Sequence, residues 1–419
     1  MKTKYFVNLI MILLFAFPFV GTFCKMFNIF PIISTLIVWL EILSAFVCMI
    51  INAKQNKKMN KNNLLLLAYA IYVIFFMYVF YDVYIQPMVY RKDMLGVPFN
   101  DFAFFQSFFF TSLPLLYPTL ILRNLDCTLF SKFLAIVPTI MFPIYFSHVD
   151  YMLYVIYGAG EISSVEMHDE NIIGAFSVAS YASWAILANI TIKGKWHKNK
   201  IIDNLIWYLV LIINAVCVII ASKRGPVIYL GVVLFLYYII YNHSSWKRIV
   251  YIALGSLSVL WGLVIFAEQF NFSQGLLIRF MSTVEDGGSN RLGSDFSVFN
   301  LAIEQIKQSF WFGSYFRILR YFTGIYPHNF FLETLMTFGV FFSSILYYVV
   351  FRVVVVGINL LKHHRDESII FLMFMITFLI MMSTGTLVNN EAFWIPLILL
   401  ASMRKNIDYS KNNLIDNKK

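Results

Sequence analysis

The feature that most constrains this chain is a succession of long apolar blocks separated by short polar segments. A helix needs about 20 mostly apolar residues to cross the hydrocarbon core of a bilayer. Blocks of that kind fall at 5–24, 29–51, 64–85, 102–122, 133–149, 171–192, 204–221, 226–242, 249–267, 329–358, 368–384 and 391–403. Only 13% of the 419 residues are charged and 60% are hydrophobic, whereas a soluble domain carries about a quarter charged residues. A soluble globular domain is therefore excluded. The expectation is an all-α polytopic membrane protein with about twelve spans, forming one membrane domain over 1–419.

The net charge of +10 would suggest nucleic acid as a partner in a soluble protein. Here membrane topology accounts for it, and no nucleic-acid partner is expected. With a cytoplasmic N-terminus, the inside segments hold twenty-one Lys and Arg and the outside segments ten. Half of those ten lie in one long loop, where the positive-inside rule does not count them. Both termini are expected in the cytoplasm. The basic, apolar N-terminus resembles a signal peptide, but a bulky Phe23 before Cys24 argues for an uncleaved first helix. Cys24, Cys48, Cys127 and Cys217 show no CxxC spacing; they read as small apolar residues.

The long loop covers 268–327, between the ninth and tenth spans, and faces outward. A second outward connection covers 148–170. The other connections are shorter. Within the long loop, Phe296, Phe299, Ile303, Ile306 and Phe310 recur at helical spacing, which predicts an amphipathic helix capped by Ser294 or Asp295 and ended by Gly313. Two readings fit it: a helix packed on the bundle, or one lying in the membrane interface.

Four stretches carry polar chemistry on the outer side. The turn Ser222-Lys223-Arg224-Gly225-Pro226 sets two cations at a helix N-terminus, against the positive-inside trend. That suits an anion site, or a solvated turn touching lipid phosphates. The Gly-rich run 286–296 presents Arg291, either as an anion-binding turn or as a flexible loop. Between 309 and 329, Trp311, Arg317, Arg320 and Tyr326 belong to an alternation of aromatic and basic residues. Aromatic faces stack on sugars and Arg binds phosphate bidentately, but an interfacial aromatic belt has the same composition.

The fourth stretch, "YPHNFFLETLMTFGV", runs from Tyr326 to Val340. Pro327 presets a helix start, with His328 and Asn329 in its first turn at the outer face. Asn329, Glu333 and Thr337 are spaced i, i+4, i+8, so one polar face descends into the bundle. A carboxylate buried there must pair or take a proton. His328 can accept a proton near neutral pH, although a lone His at a helix end is usually structural.

Other chemistries leave no signature. GxSxG, P-loop, GxGxxG and DxD motifs are missing, and the His and acidic residues of 148–170 match no metal-ligand spacing. No metal or cofactor is expected. Glu41, inside the second span, reads as an interhelical hydrogen bond or part of a proton path.

Ser222-Lys223-Arg224-Gly225, the loop 268–327, and Pro327-His328-Asn329 continuing to Leu332-Glu333 and Gly339 together resemble the O-antigen ligase and Wzy-type polysaccharide polymerase superfamily. The likeness covers the second half of the chain; the first half matches only as a run of helices. The resemblance implies a metal-independent glycosyltransferase of the GT-C type in the bacterial plasma (inner) membrane. Its substrates would be undecaprenyl-pyrophosphate-linked glycans on the outer face, for O-antigen or capsule, with membrane lipids and a chain-length regulator protein as partners. On this pattern Arg224 and Arg291 hold the pyrophosphate and His328 activates the acceptor sugar. Glu333 or Asn329 orients that His, and Lys223, Arg317, Arg320, Tyr326 and Trp311 bind substrate. A polymerase is the expectation and a ligase that moves finished glycan onto lipid A-core the alternative. A flippase for lipid-linked sugars is the alternative of another class; against it, the two halves show no internal repeat.

Overall fold

The computed structural model describes residues 3–29, single helical positions between 33 and 50, and residues 63–80, 125–157, 173–221 and 224–242. It further describes 298–314, 327, 329–382, 386–387 and 392–403. Among the described residues all regular structure is helical. The helices are α1 (Thr3–Met26), α2 (Asn63–Phe80), α3 (Cys127–Phe146), α4 (Val149–Tyr157), α5 (Ala175–Thr191) and α6 (Lys200–Ile220). They continue with α7 (Arg224–Asn242), α8 (Val298–Gln308), α9 (Phe330–His363), α10 (Ser368–Met381) and α11 (Ala392–Met403). Four of them, α1, α3, α6 and α9, are long and apolar enough to cross a membrane. The expected spans 102–122 and 249–267 lie outside the described residues.

Two compact units emerge: 1–58 with 123–282 and 360–376, and 59–122 with 283–359 and 377–419. In the first unit α5 is the core helix. Thirteen of its seventeen residues are buried, so it has no solvent stripe. Alanines at 175, 179, 182, 185 and 188 keep its surface low enough for close neighbours. Phe15 and Phe19 of α1 meet Tyr181 of α5 with ring centroids 5.5 and 5.0 Å apart. The Tyr145 hydroxyl donates to the Phe19 carbonyl, and buried Asn214 of α6 donates to Thr139 Oγ1 of α3 at 2.6 Å. Helix α3 begins before the expected 133, because Asp126 caps it by accepting from the Leu129 N–H at 3.1 Å.

The turn between α5 and α6 is tightly bonded. Buried Asp203 accepts the Trp196 and His197 N–H groups at 2.7 and 3.2 Å. The Asn189 side chain accepts from the Trp196 indole and donates to the Trp207 carbonyl, both at 2.8 Å. Lys195 pairs with Asp366, and Arg365 donates to the Ile190 carbonyl. The connection 148–170 opens with helix rather than loop: α4 buries Tyr151 and Val155 one turn apart, and the Tyr151 hydroxyl donates to the Ile173 carbonyl at 2.7 Å. Cys24, Cys127 and Cys217 are buried free thiols, as small apolar residues would be.

In the second unit, α2 turns Leu64, Ala68, Ile71 and Phe75 inward at helical spacing. Phe75 and Tyr72 pack on Trp394 of α11 at 5.4 and 5.2 Å, and Phe75 on Phe338 of α9 at 5.5 Å. The amphipathic helix is present as α8, but its buried face differs from the expected one. Leu301 and Ala302 pack on Met336 with Val298, Ile306 and Leu332, while Ile303 stays exposed. The apolar residues form two faces; Ala302 is small enough for close approach, so the face holding it became the packed one.

Helix α9, expected as one uninterrupted span, breaks at Gly339, whose φ is 63° and ψ −176°. The loop segment after α8 fills the break. Val340 N–H donates to the Phe310 carbonyl at 2.9 Å, Phe341 N–H to the Trp311 carbonyl at 3.1 Å, and Ser314 N–H to the Met336 carbonyl at 3.0 Å. Gly313, with φ 70°, lies directly against Gly339. A Cβ on Gly313 would strike the Thr337 carbonyl, and one on Gly339 would strike the Phe312 and Gly313 amides. Only glycine meets both demands, the left-handed backbone and the contact.

Candidate active site at the mouth of helix α9

Helix α9 starts one residue later than the sequence suggests. Asn329 is its N-cap, not part of the first turn: its Oδ1 accepts from the Phe331 and Leu332 N–H groups, both at 3.1 Å. A side-chain amide oxygen at that position satisfies two donors that have no carbonyl of their own. The Asn329 Nδ2 donates to the Met382 carbonyl at 3.5 Å. Pro327, two residues before the cap, is buried.

Glu333, one turn below, is 0% exposed. Its Oε1 accepts the Thr386 hydroxyl at 2.5 Å and the Leu387 N–H at 3.0 Å. A carboxylate out of water needs such donors. Leu387 is held in turn, because its carbonyl accepts the Trp394 indole N–H at 3.0 Å. Phe330 packs on Phe378 and Phe393 at 5.3 and 5.7 Å. Thr334 bonds to the Tyr347 hydroxyl at 2.5 Å. The chain that follows position 328 is thus clamped: Asn329 and Glu333 tie the first turn of α9 to Met382 and to 386–387. Thr337 continues the polar face and is also fully buried.

His328, Lys223, Arg291, Arg317, Arg320 and Tyr326 lie outside the described residues. Arg224 is the first residue of α7, so that helix begins two residues before the expected Pro226. Gly225 beside it lies under the Tyr229 ring; a Cβ there would meet that ring at 3.0 Å. Trp311 is on the exposed turn after α8, its ring edge-on to Phe310 at 5.3 Å. In the second unit the described residues bring together Asn329, Glu333 and Thr337, as the i, i+4, i+8 spacing requires.

Thr386 and Leu387 were not legible as partners of Glu333. Their one signal is a polar run, Ser383-Thr384-Gly385-Thr386 followed by Asn389-Asn390-Glu391, in an otherwise apolar region. Residues 386 and 387 are non-helical, and an amide outside a helix is available as a donor to a buried acid. The chain matches no protein-family model and no curated protein.

Proposed function

We propose that this protein is a GT-C-like membrane glycosyltransferase with about twelve spans and both termini in the cytoplasm. It joins undecaprenyl-pyrophosphate-linked oligosaccharide units on the outer face of the bacterial plasma membrane. The observation that carries this reading is the clamped start of α9. A fully buried Glu333 and a capping Asn329 hold the helix start that follows position 328 in sequence, in the motif that resembles the O-antigen polymerase and ligase superfamily. An apolar helix serving only as an anchor has no use for a fully buried, hydrogen-bonded acid in its first turn.

The chemistry follows from the residue types. His328 takes the proton of the acceptor hydroxyl, and that oxygen forms a bond to the anomeric carbon of the donor. The bond from that carbon to the pyrophosphate oxygen breaks, and undecaprenyl pyrophosphate leaves with the electron pair. Arg224 and Arg291 are assigned to the charge that develops on the leaving group. The proton on His328 returns to solvent. Glu333 and Asn329 act as positioning residues.

The test is a strain without this gene, with surface glycan and lipid-linked glycan resolved side by side. A core capped by one repeat unit supports a polymerase; a bare core with full-length polymer stranded on the lipid assigns a ligase. An unchanged ladder overturns both. In the complemented strain, His328→Ala at normal protein level is expected to reproduce the deletion, and an unaltered ladder removes His328 from the mechanism.

A further inference from the structure

We propose that Phe310, Trp311 and Phe312 form a ledge sunk into the outer leaflet, where phospholipid acyl chains cover it. This rests on the membrane reading above, but not on the glycosyltransferase chemistry.

Depth comes first. The part of α9 beyond the break, Val340–His363, has 24 residues and is about 36 Å long at 1.5 Å per residue. That alone crosses a hydrocarbon core of about 30 Å. Its last turn carries Lys362 and His363, which mark the cytoplasmic boundary. Gly339 therefore falls at the outer boundary, and the segment bonded to it lies at the same depth.

Exposure comes second. Phe310 is 48% exposed, Trp311 65% and Phe312 58%. The Phe312 ring centroid is 6.0 Å from that of Phe341, which is also exposed. Phe341, Tyr348, Phe351 and Val355 are exposed at spacings of seven, three and four along α9, so they share one face. The ledge extends this apolar face at its outer end.

Backbone polarity comes third: the carbonyls of the turn are satisfied within the protein. Peptide groups entering a lipid environment must be bonded within the protein. The Phe310 and Trp311 carbonyls accept from Val340 and Phe341, and the Phe312 carbonyl accepts the Tyr78 hydroxyl at 2.6 Å. Gly313 N–H donates to the Ser309 carbonyl at 2.9 Å and Ser314 N–H to Met336. A turn that presents three aromatic rings outward while its carbonyls are consumed inward is built for an apolar neighbour. Trp at such a depth is favoured because its ring is apolar while its N–H meets the headgroups, and the two Phe rings add apolar area. Trp311 thereby serves lipid instead of sugar.

The test uses the full-length protein in nanodiscs of phosphatidylcholine brominated either near the headgroup end or near the chain end. The Trp311 signal is the emission of the protein minus that of Trp311→Phe. Shallow bromine is expected to reduce that signal by about half, deep bromine less, and aqueous iodide hardly at all, as for an interfacial Trp. A Phe312→Cys variant carrying a polarity-sensitive dye is expected to report an apolar site. Quenching by iodide and not by brominated lipid overturns the ledge, as does a change of the signal with soluble glycan alone. If no tryptophan in the protein responds to brominated lipid, the membrane reading itself falls.

Discussion

The Thr386 hydroxyl donates to Glu333 Oε1 at 2.5 Å across 53 positions of chain, and the next residue adds its backbone N–H at 3.0 Å. A fully buried carboxyl group is thereby joined to the non-helical residues 386 and 387. Truncating Glu333 to Ala leaves those two donors without this acceptor, at about 1–3 kcal/mol each. Glu333→Ala is expected to destabilise the protein by about 3 kcal/mol or more. Glu333→Gln, which keeps an acceptor oxygen, costs less. Thr386→Val removes one hydrogen bond to the buried acid, about 1 kcal/mol or more. Denaturant titration in detergent checks the order; equal midpoints for Glu333→Ala and the parent would refute the clamp.

The two glycines of the α9 break make a second test. Each combines a positive φ with backbone atoms where a Cβ would stand. The left-handed conformation costs a non-glycine residue about 1–2 kcal/mol, and overpacking adds about 1–3 kcal/mol. Gly313→Ala and Gly339→Ala are each expected to lower the unfolding midpoint strongly. The double variant should cost less than the two single losses together, because the first already opens the contact. Thermal unfolding of the four proteins measures this directly, and additivity would show that the two positions do not share a contact.

Asn329 separates capping from the link to the next segment. Asn329→Ala loses the cap, worth about 1 kcal/mol, together with the bond to Met382. Asn329→Asp keeps the capping oxygen but removes the amide donor. Stability is expected to fall in the order parent, Asp, Ala, and the glycan ladder of the complemented strain should shorten in the same order. A stable Asn329→Ala protein with a full ladder would leave Asn329 without a positioning role.

In the first unit, Asp203 holds the turn between α5 and α6 by accepting two N–H groups at once. Asp203→Ala leaves both amides without this acceptor, with an expected loss of about 2–4 kcal/mol. Asp203→Asn retains an oxygen and loses less. Trp196, whose own N–H follows the Asp203 acceptor, should shift its emission to the red in Asp203→Ala as the turn loosens. Unchanged emission and stability would show that the turn is held without Asp203, by the bonds of Asn189, Lys195 and Arg365.

Much of this architecture is legible before any coordinates. Helix positions follow from apolar runs about the length of a bilayer, and α1, α2, α5, α6, α7, α9, α10 and α11 fall where those runs do. The polar face of Asn329, Glu333 and Thr337 follows from a spacing of four. Ends were harder to place. Asn329 became a cap and Asp126 began α3 early, because a side-chain oxygen can replace a turn of backbone bonds and hydropathy does not register it. The buried face of α8 differs from the expected one for another reason. Its apolar residues cover two faces, and periodicity alone does not say which one a neighbour will use.

What the sequence determined by itself is therefore local: which segments are helical, which are long and apolar enough to cross a membrane, and which helix carries an acid on its inner face. The tertiary structure decided what meets what. That Glu333 receives Thr386, and that Gly313 closes on Gly339, depends on chain returning from 53 and 26 positions away. Apart from the Thr386 hydroxyl and the Glu333 side chain, those contacts are made by backbone amides and carbonyls, which every residue carries alike. A pattern of side chains cannot announce where they will be spent.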